Sequence, residues 1–310
     1  MDPVLYKNEL PSFSVGKRAE IKLGKPTDLN KNKKQYGQEK EVTANWALNN
    51  LIDHSVLIGY NGLIYSNIDC VFNVTKSVVD YFLPTDMSDF KFVNIGGNST
   101  IAQYLQYRRP NSQGWGLNLI TQNYIQLDRY TLLNGGNYME NKNNLNLVLA
   151  TVDKGVHLVT AENCLDQSED NNLKILISDL ALALYVLAPY GNLVCRCSQT
   201  FGKVTANILY LLSFGFESLV LFKPSTIDNK SNLQYIIGIN RKLDIEKLKD
   251  IFTGMALGNI FNIKLPKKFT DWLIEVNEQI QNSRQTNVDI FDIHGFIYKF
   301  RIPMMGDKIK

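Results

Sequence analysis

Histidine and cysteine are scarce, with three and four among 310 residues. His54, His157 and His294 are scattered, and no carboxylate or cysteine stands near any of them at metal-ligand spacing. Each is therefore expected to be structural, and no metal is expected. Cys70, Cys164, Cys195 and Cys197 contain no CxxC pair, and the Cys195-Arg-Cys197 spacing lies inside an apolar run that reads as a buried strand. These are expected to be reduced, structural thiols. Long hydrophobic runs are missing too. The longest, 173–188, is broken by Lys174 and Asp179 and falls short of a membrane span. No hydrophobic signal segment opens the chain, so the expectation is an intracellular protein of the cytoplasm or nucleus with no membrane partner. Strong charge is also absent: a net +3 and a pI near 8.5 do not by themselves announce a nucleic-acid partner.

What is present is 45% hydrophobic residues, enough at this length for one large core with a small appendage. Positive charge concentrates at the start, in Lys7, Lys17, Arg18, Lys22, Lys25, Lys31, Lys33, Lys34 and Lys40. Residues 1–40 show little periodicity and read as a basic, irregular arm. It either meets phosphates or an acidic partner surface, or is simply a solvated terminus.

Helical periodicity begins at 41–52, with Val42, Trp46, Leu51 and Ile52 near one face. A second helix is expected over 74–82, stopping before Pro84. Lys91-Phe-Val-Asn-Ile95 is a short apolar run ending in Gly96-Gly97, which reads as a buried parallel strand turning into a helix at 99–107. Strands are expected at 114–120, 156–160, 192–197, 218–222 and 234–239, and helices at 173–188 and 203–213. The strand at 114–120 is followed by an Asn- and Gly-rich loop around Asn134-Gly-Gly-Asn137. This alternation predicts an α/β sheet with helices on both faces and ligands at the carboxyl ends of the strands. Helices at 243–256 and 269–281 end the series. The expected division is an arm at 1–40, a main domain at 41–240 and a helical extension at 241–310 packed on that domain.

Two stretches carry more than a fold class. Phe92-Val-Asn-Ile-Gly-Gly-Asn-Ser-Thr-Ile-Ala-Gln-Tyr-Leu105 is followed by Gly114-Trp-Gly116, and Leu219-Val-Leu-Phe-Lys-Pro-Ser-Thr226 by Tyr235-Ile-Ile-Gly238. Over residues 70–240 the chain resembles the FtsJ-like ribose 2'-O-methyltransferases, most closely those that act on eukaryotic mRNA caps. The resemblance implies a Rossmann-like methyltransferase fold with a mostly parallel central sheet. It also implies an S-adenosylmethionine site at a glycine-rich turn, where backbone must approach the cofactor closely. The positions matching that site are Asn94, Gly96, Gly97, Asn98 and Gly114. Asn94 stands where the family has an acid, and Asn98, Ser99 and Thr100 stand where it has glycine or proline. Asn98 tolerates positive φ, so the turn can survive while its glycine-lined floor does not. No bound cofactor is expected.

The resemblance further implies a Lys-Asp-Lys-Glu tetrad, whose central lysine takes the proton from the ribose 2'-hydroxyl. Its matching positions are Lys76, Glu162, Arg196 and Leu233. Asp179 is an alternative for the acid, although the strand and helix order favours Glu162. Arginine is always protonated near neutrality and cannot act as the base, and Leu233 can neither orient a lysine nor accept a hydrogen bond. In a different register the base would be Lys203 or Lys223. Trp115 and Trp272 are expected in the core; Arg108 and Arg109 are expected at the surface, with phosphate contact as the minority reading.

The run 193–223, with Thr-Phe-Gly at 200–202 and helices after it, is also loosely similar to the small, methyltransferase-folded subunit of the poxvirus mRNA capping enzyme. That similarity implies a heterodimer with a larger capping or guanine-N7 methyltransferase subunit, with capped RNA nearby, in the cytoplasm, a viral factory or a virion. The expected function is a catalytically degenerate cap 2'-O-methyltransferase-like protein that binds or stimulates another enzyme. The alternative is an active S-adenosylmethionine-dependent cap 2'-O-methyltransferase with an unusual tetrad.

Overall fold

The computed structural model describes residues 60–76, 89–96, 99–117, 127–133, 141–152, 155–162, 169–197, 202–224, 226–227, 233–258 and 263–285. The basic arm, the helix expected at 41–52 with Trp46, most of the one expected at 74–82, His54, His294, Cys164, Gly97 and Asn98 lie outside these residues.

Seven helices and seven strands are described, in the order α1 (Tyr60–Phe72), β1 (Lys91–Ile95), α2 (Thr100–Arg108), β2 (Gln113–Leu117), β3 (Tyr130–Leu133), α3 (Asn141–Thr151), β4 (Val156–Ala161), α4 (Glu169–Val186), β5 (Leu187–Cys197), α5 (Lys203–Gly215), β6 (Phe216–Phe222), β7 (Gln234–Arg241), α6 (Glu246–Ala256) and α7 (Lys267–Gln285). The strands form one sheet in the order β3-β2-β1-β4-β5-β7-β6. The pairs from β3 to β5 are parallel, while β7 runs antiparallel to both β5 and β6. The expected mostly parallel α/β sheet is therefore present, with one antiparallel strand inserted.

Alternation along the strands sorts the core into two clusters, one per face. Phe92, Leu158, Val194, Tyr235 and Ile237 face α1 and α2 and meet Leu63, Ile68, Ile101 and Leu105. Val93, Ile95, Val159, Leu193 and Cys195 face the other way and are covered by α3 to α7. Helix α5 is buried at every residue from Thr205 to Gly215, because α7 covers it in turn. Tyr210 meets the ring of Phe269 at 5.0 Å, and Phe269 meets Trp272 at 5.3 Å. The carboxyl-terminal helices thus share the core of the sheet.

Several boundaries differ from expectation for local reasons. Residues 74–76 form a turn, since α1 has already ended at Asn73, whose φ of 52° is the left-handed conformation that asparagine tolerates at a helix end. The Asp69 carboxylate then accepts from the N–H and the hydroxyl of Thr75, both at 2.8 Å. Tyr104 donates to the same carboxylate at 2.8 Å and Arg108 pairs with it at 3.1 Å, which ties α1 to α2. The helix expected at 173–188 passes into β5 at Leu187. β3 and α3, on either side of the loop expected around Asn134-Gly-Gly-Asn137, were not expected.

A buried acid at the carboxyl edge of the sheet

The order of the strands reverses between β1 and β4, and open α/β sheets bind ligands outside the carboxyl ends at such a point. β4 delivers Glu162 there. Its main-chain N–H donates to Ile95 O at 2.8 Å, extending the ladder one residue past Ala161. Leu158 pairs with Phe92 and Asn192, and Thr160 with Asn94 and Val194, so the same alternation sets Glu162 beside Arg196 on the face covered by α1. Arg196 in turn pairs with Tyr235 of β7.

Three side chains converge on the Glu162 carboxylate, which is fully buried. Tyr65, from α1, donates its hydroxyl to Oε1 at 2.8 Å. Tyr235 donates to Oε2 at 3.3 Å, and Arg196 Nη1 lies 3.8 Å from Oε2. The two tyrosine rings meet edge to face with centroids 6.1 Å apart. Burial pushes the Glu162 carboxyl above its ordinary value, opposed by the Arg196 charge and the two phenolic hydrogen bonds. Burial, followed by the neighbouring Glu162, drives the Tyr65 hydroxyl well above the ordinary phenol range. Near neutrality Tyr65 is therefore a donor, and Arg196 is a fixed cation. The one group of this set able to accept a proton is the carboxylate, and it already accepts both phenolic hydroxyls with the Arg196 charge beside it.

Of the four tetrad positions, the structure brings Glu162 and Arg196 together. Lys76 is exposed, and its carbonyl accepts from Asn192 Nδ2 at 3.5 Å. Asn192 lies four residues down β5 from Arg196, roughly 13 Å away at about 3.3 Å per residue. Leu233 is half-buried at the start of β7 and packs against the cluster on the α1 face. The residue two positions later, Tyr235, is the one whose side chain reaches Glu162. Tyr65 and Tyr235 were not singled out from the sequence. Tyr235 had a signal, the two-residue periodicity of β7 ending the Leu233-x-Tyr run, whereas Tyr65 had none beyond its place before β1. Asp179, the alternative acid, lies within α4 and not at a strand end. Lys203 is exposed at the start of α5, and Lys223 is half-buried one residue past β6.

Among the cofactor positions, Gly96 closes β1 with a φ of 67°, a conformation that favours glycine, and its N–H donates to Leu117 O at 2.8 Å. Asn94 is buried within the sheet: Thr160 Oγ1 donates to its Oδ1 at 3.0 Å, and its Nδ2 donates to the Tyr130 hydroxyl oxygen at 3.4 Å. Gly114 lies beneath the Phe92 and Tyr130 rings, which stack with centroids 5.9 Å apart. The family's cofactor carries an ammonium and ribose hydroxyls that call for a carboxylate. Among the described residues at this edge, the one carboxylate is Glu162, already engaged within the protein, and Asn94 is neutral and held in the sheet. Among the described residues, the turn at Gly96 fits close approach, and Asn94 does not offer the cofactor a carboxylate.

Other expected residues settle into structural places. Trp115 and Trp272 are core residues, and His157 accepts the Lys91 N–H on Nδ1 at 3.0 Å while stacking on Phe90. The expectation of two surface arginines is corrected at Arg109, which is buried with its guanidinium 5.0 Å over the Phe90 ring. Arg108 is committed to Asp69. No group of three or more potential metal ligands occurs among the described residues, and none of their helices is long and apolar enough to cross a membrane.

Residues 97–241 match the family described as FtsJ-like methyltransferase. The cap-specific mRNA (nucleoside-2'-O-)-methyltransferase 1 of Ailuropoda melanoleuca is 28% identical over 155 aligned residues, covering 43% of this chain and 19% of that protein. The inactive cap-specific mRNA (nucleoside-2'-O-)-methyltransferase 1B of Caenorhabditis briggsae is 23% identical over 240 aligned residues, covering 64% of this chain and 28% of that protein. The match thus spans between 19% and 28% of the length of these relatives. Among solved structures, the fibrillarin pre-rRNA processing protein of Methanococcus jannaschii superposes with a TM-score of 0.32 at 14% identity, covering 52% of this chain and 70% of that one. Residues 97–241, from the turn after β1 to the end of β7, are thus similar to the FtsJ-like methyltransferase family, and the chain is similar in sequence to the cap-specific mRNA 2'-O-methyltransferases.

Proposed function

We propose that this chain is a methyltransferase-fold protein that does not itself transfer methyl groups and acts as a binding or stimulatory subunit in mRNA cap methylation. The carrying observation is the Arg196–Glu162 pair, sealed by Tyr65 and Tyr235 at the edge where the chemistry would occur. Removing a ribose 2'-hydroxyl proton near neutrality requires a group that is both basic and reachable. Arginine holds its protons, and the carboxylate beside it is fully buried. Its similarity to a relative named as inactive supports the same reading.

The proposed partner is a larger capping or guanine-N7 methyltransferase subunit, with capped RNA held between the two. The basic segment of residues 1–40 and the helices flanking the sheet are the surfaces offered to it. Calorimetry with S-adenosylmethionine tests the first half of the reading: no heat of binding is expected at millimolar cofactor. Co-expression with a guanine-N7 methyltransferase, followed by sedimentation and an N7 methylation assay, tests the second. A stable heterodimer with raised N7 activity is expected, and two independent species with unchanged activity contradict it.

One observation favours a second reading, an active 2'-O-methyltransferase of unusual tetrad. Burial raises the Glu162 carboxyl towards the range in which carboxylates serve as general bases. In that case Glu162→Gln abolishes a methyl transfer that the unaltered chain performs.

A further inference from the structure

The three side chains around Glu162, two hydroxyl donors and one cation, do not arrive in the same way. Arg196 and Tyr235 belong to β5 and β7, whose backbones pair with each other, so their side chains reach the acid along the sheet. Tyr65 comes from a helix layered on the sheet and reaches Oε1 from outside it, with the shortest contact of the three at 2.8 Å. It is itself fully buried, its ring edge to face with Tyr235 and its helix fixed through Asp69 to Tyr104, Arg108 and Thr75.

An ionised carboxylate at the ligand edge of an open α/β sheet is a ready acceptor for a hydroxyl donor. Here a hydroxyl of the chain itself fills that role. We propose that Tyr65 is an internal plug: its phenol occupies a hydroxyl-binding subsite of the Glu162 carboxylate, and that subsite accepts an external phenol or alcohol only when the Tyr65 side chain is removed. This deepens, and rests on, the non-catalytic reading above. The plug gives that reading a steric cause beside the chemical one at Arg196.

Replacing Tyr65 with alanine removes the equivalent of one phenol molecule from a site bounded by Glu162 and Tyr235. Tyr65→Ala is expected to melt below the unaltered chain and to regain several degrees with millimolar phenol. Benzene, which fills the cavity without donating, is expected to restore less, and neither is expected to shift the unaltered chain. Equal recovery with phenol and benzene, or an equal phenol shift in the unaltered chain, overturns the proposal. If Tyr65→Ala does not fold, Tyr65→Phe keeps the ring and deletes the donor. The Glu162 carboxyl carbon, followed by NMR, is then expected to titrate at higher pH than in the unaltered chain, and an unmoved titration overturns the plug. Either negative result leaves the absence of methyl transfer standing. Methyl transfer by the unaltered chain, read in a separate assay, is what overturns the earlier reading.

Discussion

Tyr65 and Glu162 are joined by a 2.8 Å hydrogen bond across 97 residues of sequence, and through it a helix that precedes the sheet is fastened to the strand end where ligands of this fold are held. The bond is buried and its acceptor is a carboxylate, so water cannot replace it. Tyr65→Phe is expected to lower stability by about 1.5–3 kcal/mol, the usual range for a hydrogen bond to a charged group. Urea denaturation checks this: the midpoint falls while the slope is unchanged. An unshifted midpoint means the contact contributes nothing.

Glu162→Gln removes the charge that faces Arg196 and leaves the guanidinium without it in a low-dielectric site. A loss of about 1–3 kcal/mol is expected at pH 7.5, because the glutamine amide nitrogen leaves one of the buried donors without an acceptor. The pH dependence has a definite sign. Burial raises the folded-state pKa of Glu162 above its unfolded value, so the folded chain binds this proton more tightly. The contribution of this group is fully present below the unfolded value and is lost as pH rises through the folded one. Lowering the pH from 7.5 towards 5 is therefore expected to widen the stability gap between the unaltered chain and Glu162→Gln. Denaturation curves at three pH values decide it, and a gap that narrows in acid contradicts the assignment.

Gly114 is where the resemblance implies a cofactor contact and the structure shows packed rings. A Cβ there would lie 2.7 Å from the Tyr130 ring and closer still to that of Phe92. Gly114→Ala is expected to cost about 1–3 kcal/mol through overpacking. Differential scanning calorimetry reads this as a lower melting temperature. An unchanged melting temperature would mean that the space over Gly114 is open after all.

Much of this architecture is legible in the sequence, because strands buried on both faces appear as mostly apolar runs. Phe92 to Ile95, Val156 to Thr160 and Leu193 to Val194 stand out for that reason. β3 and α3 do not: one is four residues at a sheet edge, the other an asparagine-studded helix whose apolar residues Leu147 to Ala150 run together and not at helical spacing. Helix α1 escapes notice because Ser66, Asn67 and Asp69 lie buried in it. Ser66 donates to Leu63 O and Asp69 accepts from Tyr104 of α2, and such buried polar residues hide the amphipathic period from a reading of hydrophobicity alone. The same helix carries Tyr65, so the site was half visible. Glu162 and Arg196 follow strand motifs and can be found by pattern. Tyr65 reaches them only through tertiary packing, and sequence spacing holds no record of that.

Asp69 gives an independent check on how α1 is held. Asp69→Ala deletes the acceptor shared by Thr75, Tyr104 and Arg108 and leaves the buried Tyr104 hydroxyl without it. The expected cost is about 1–3 kcal/mol, set by the buried Tyr104 hydroxyl left without an acceptor, since Arg108 can turn to solvent. Hydrogen exchange is expected to show the loss first as faster exchange in α1 and α2, with α5 and α7 unaffected until global unfolding.

The most direct measurement is transfer of a labelled methyl group from S-adenosylmethionine to capped RNA by the purified chain. The predicted result is no transfer above background, both for the unaltered protein and for Glu162→Gln. Transfer by the unaltered protein that disappears in Glu162→Gln would contradict the account, because it would make the buried carboxylate a working base.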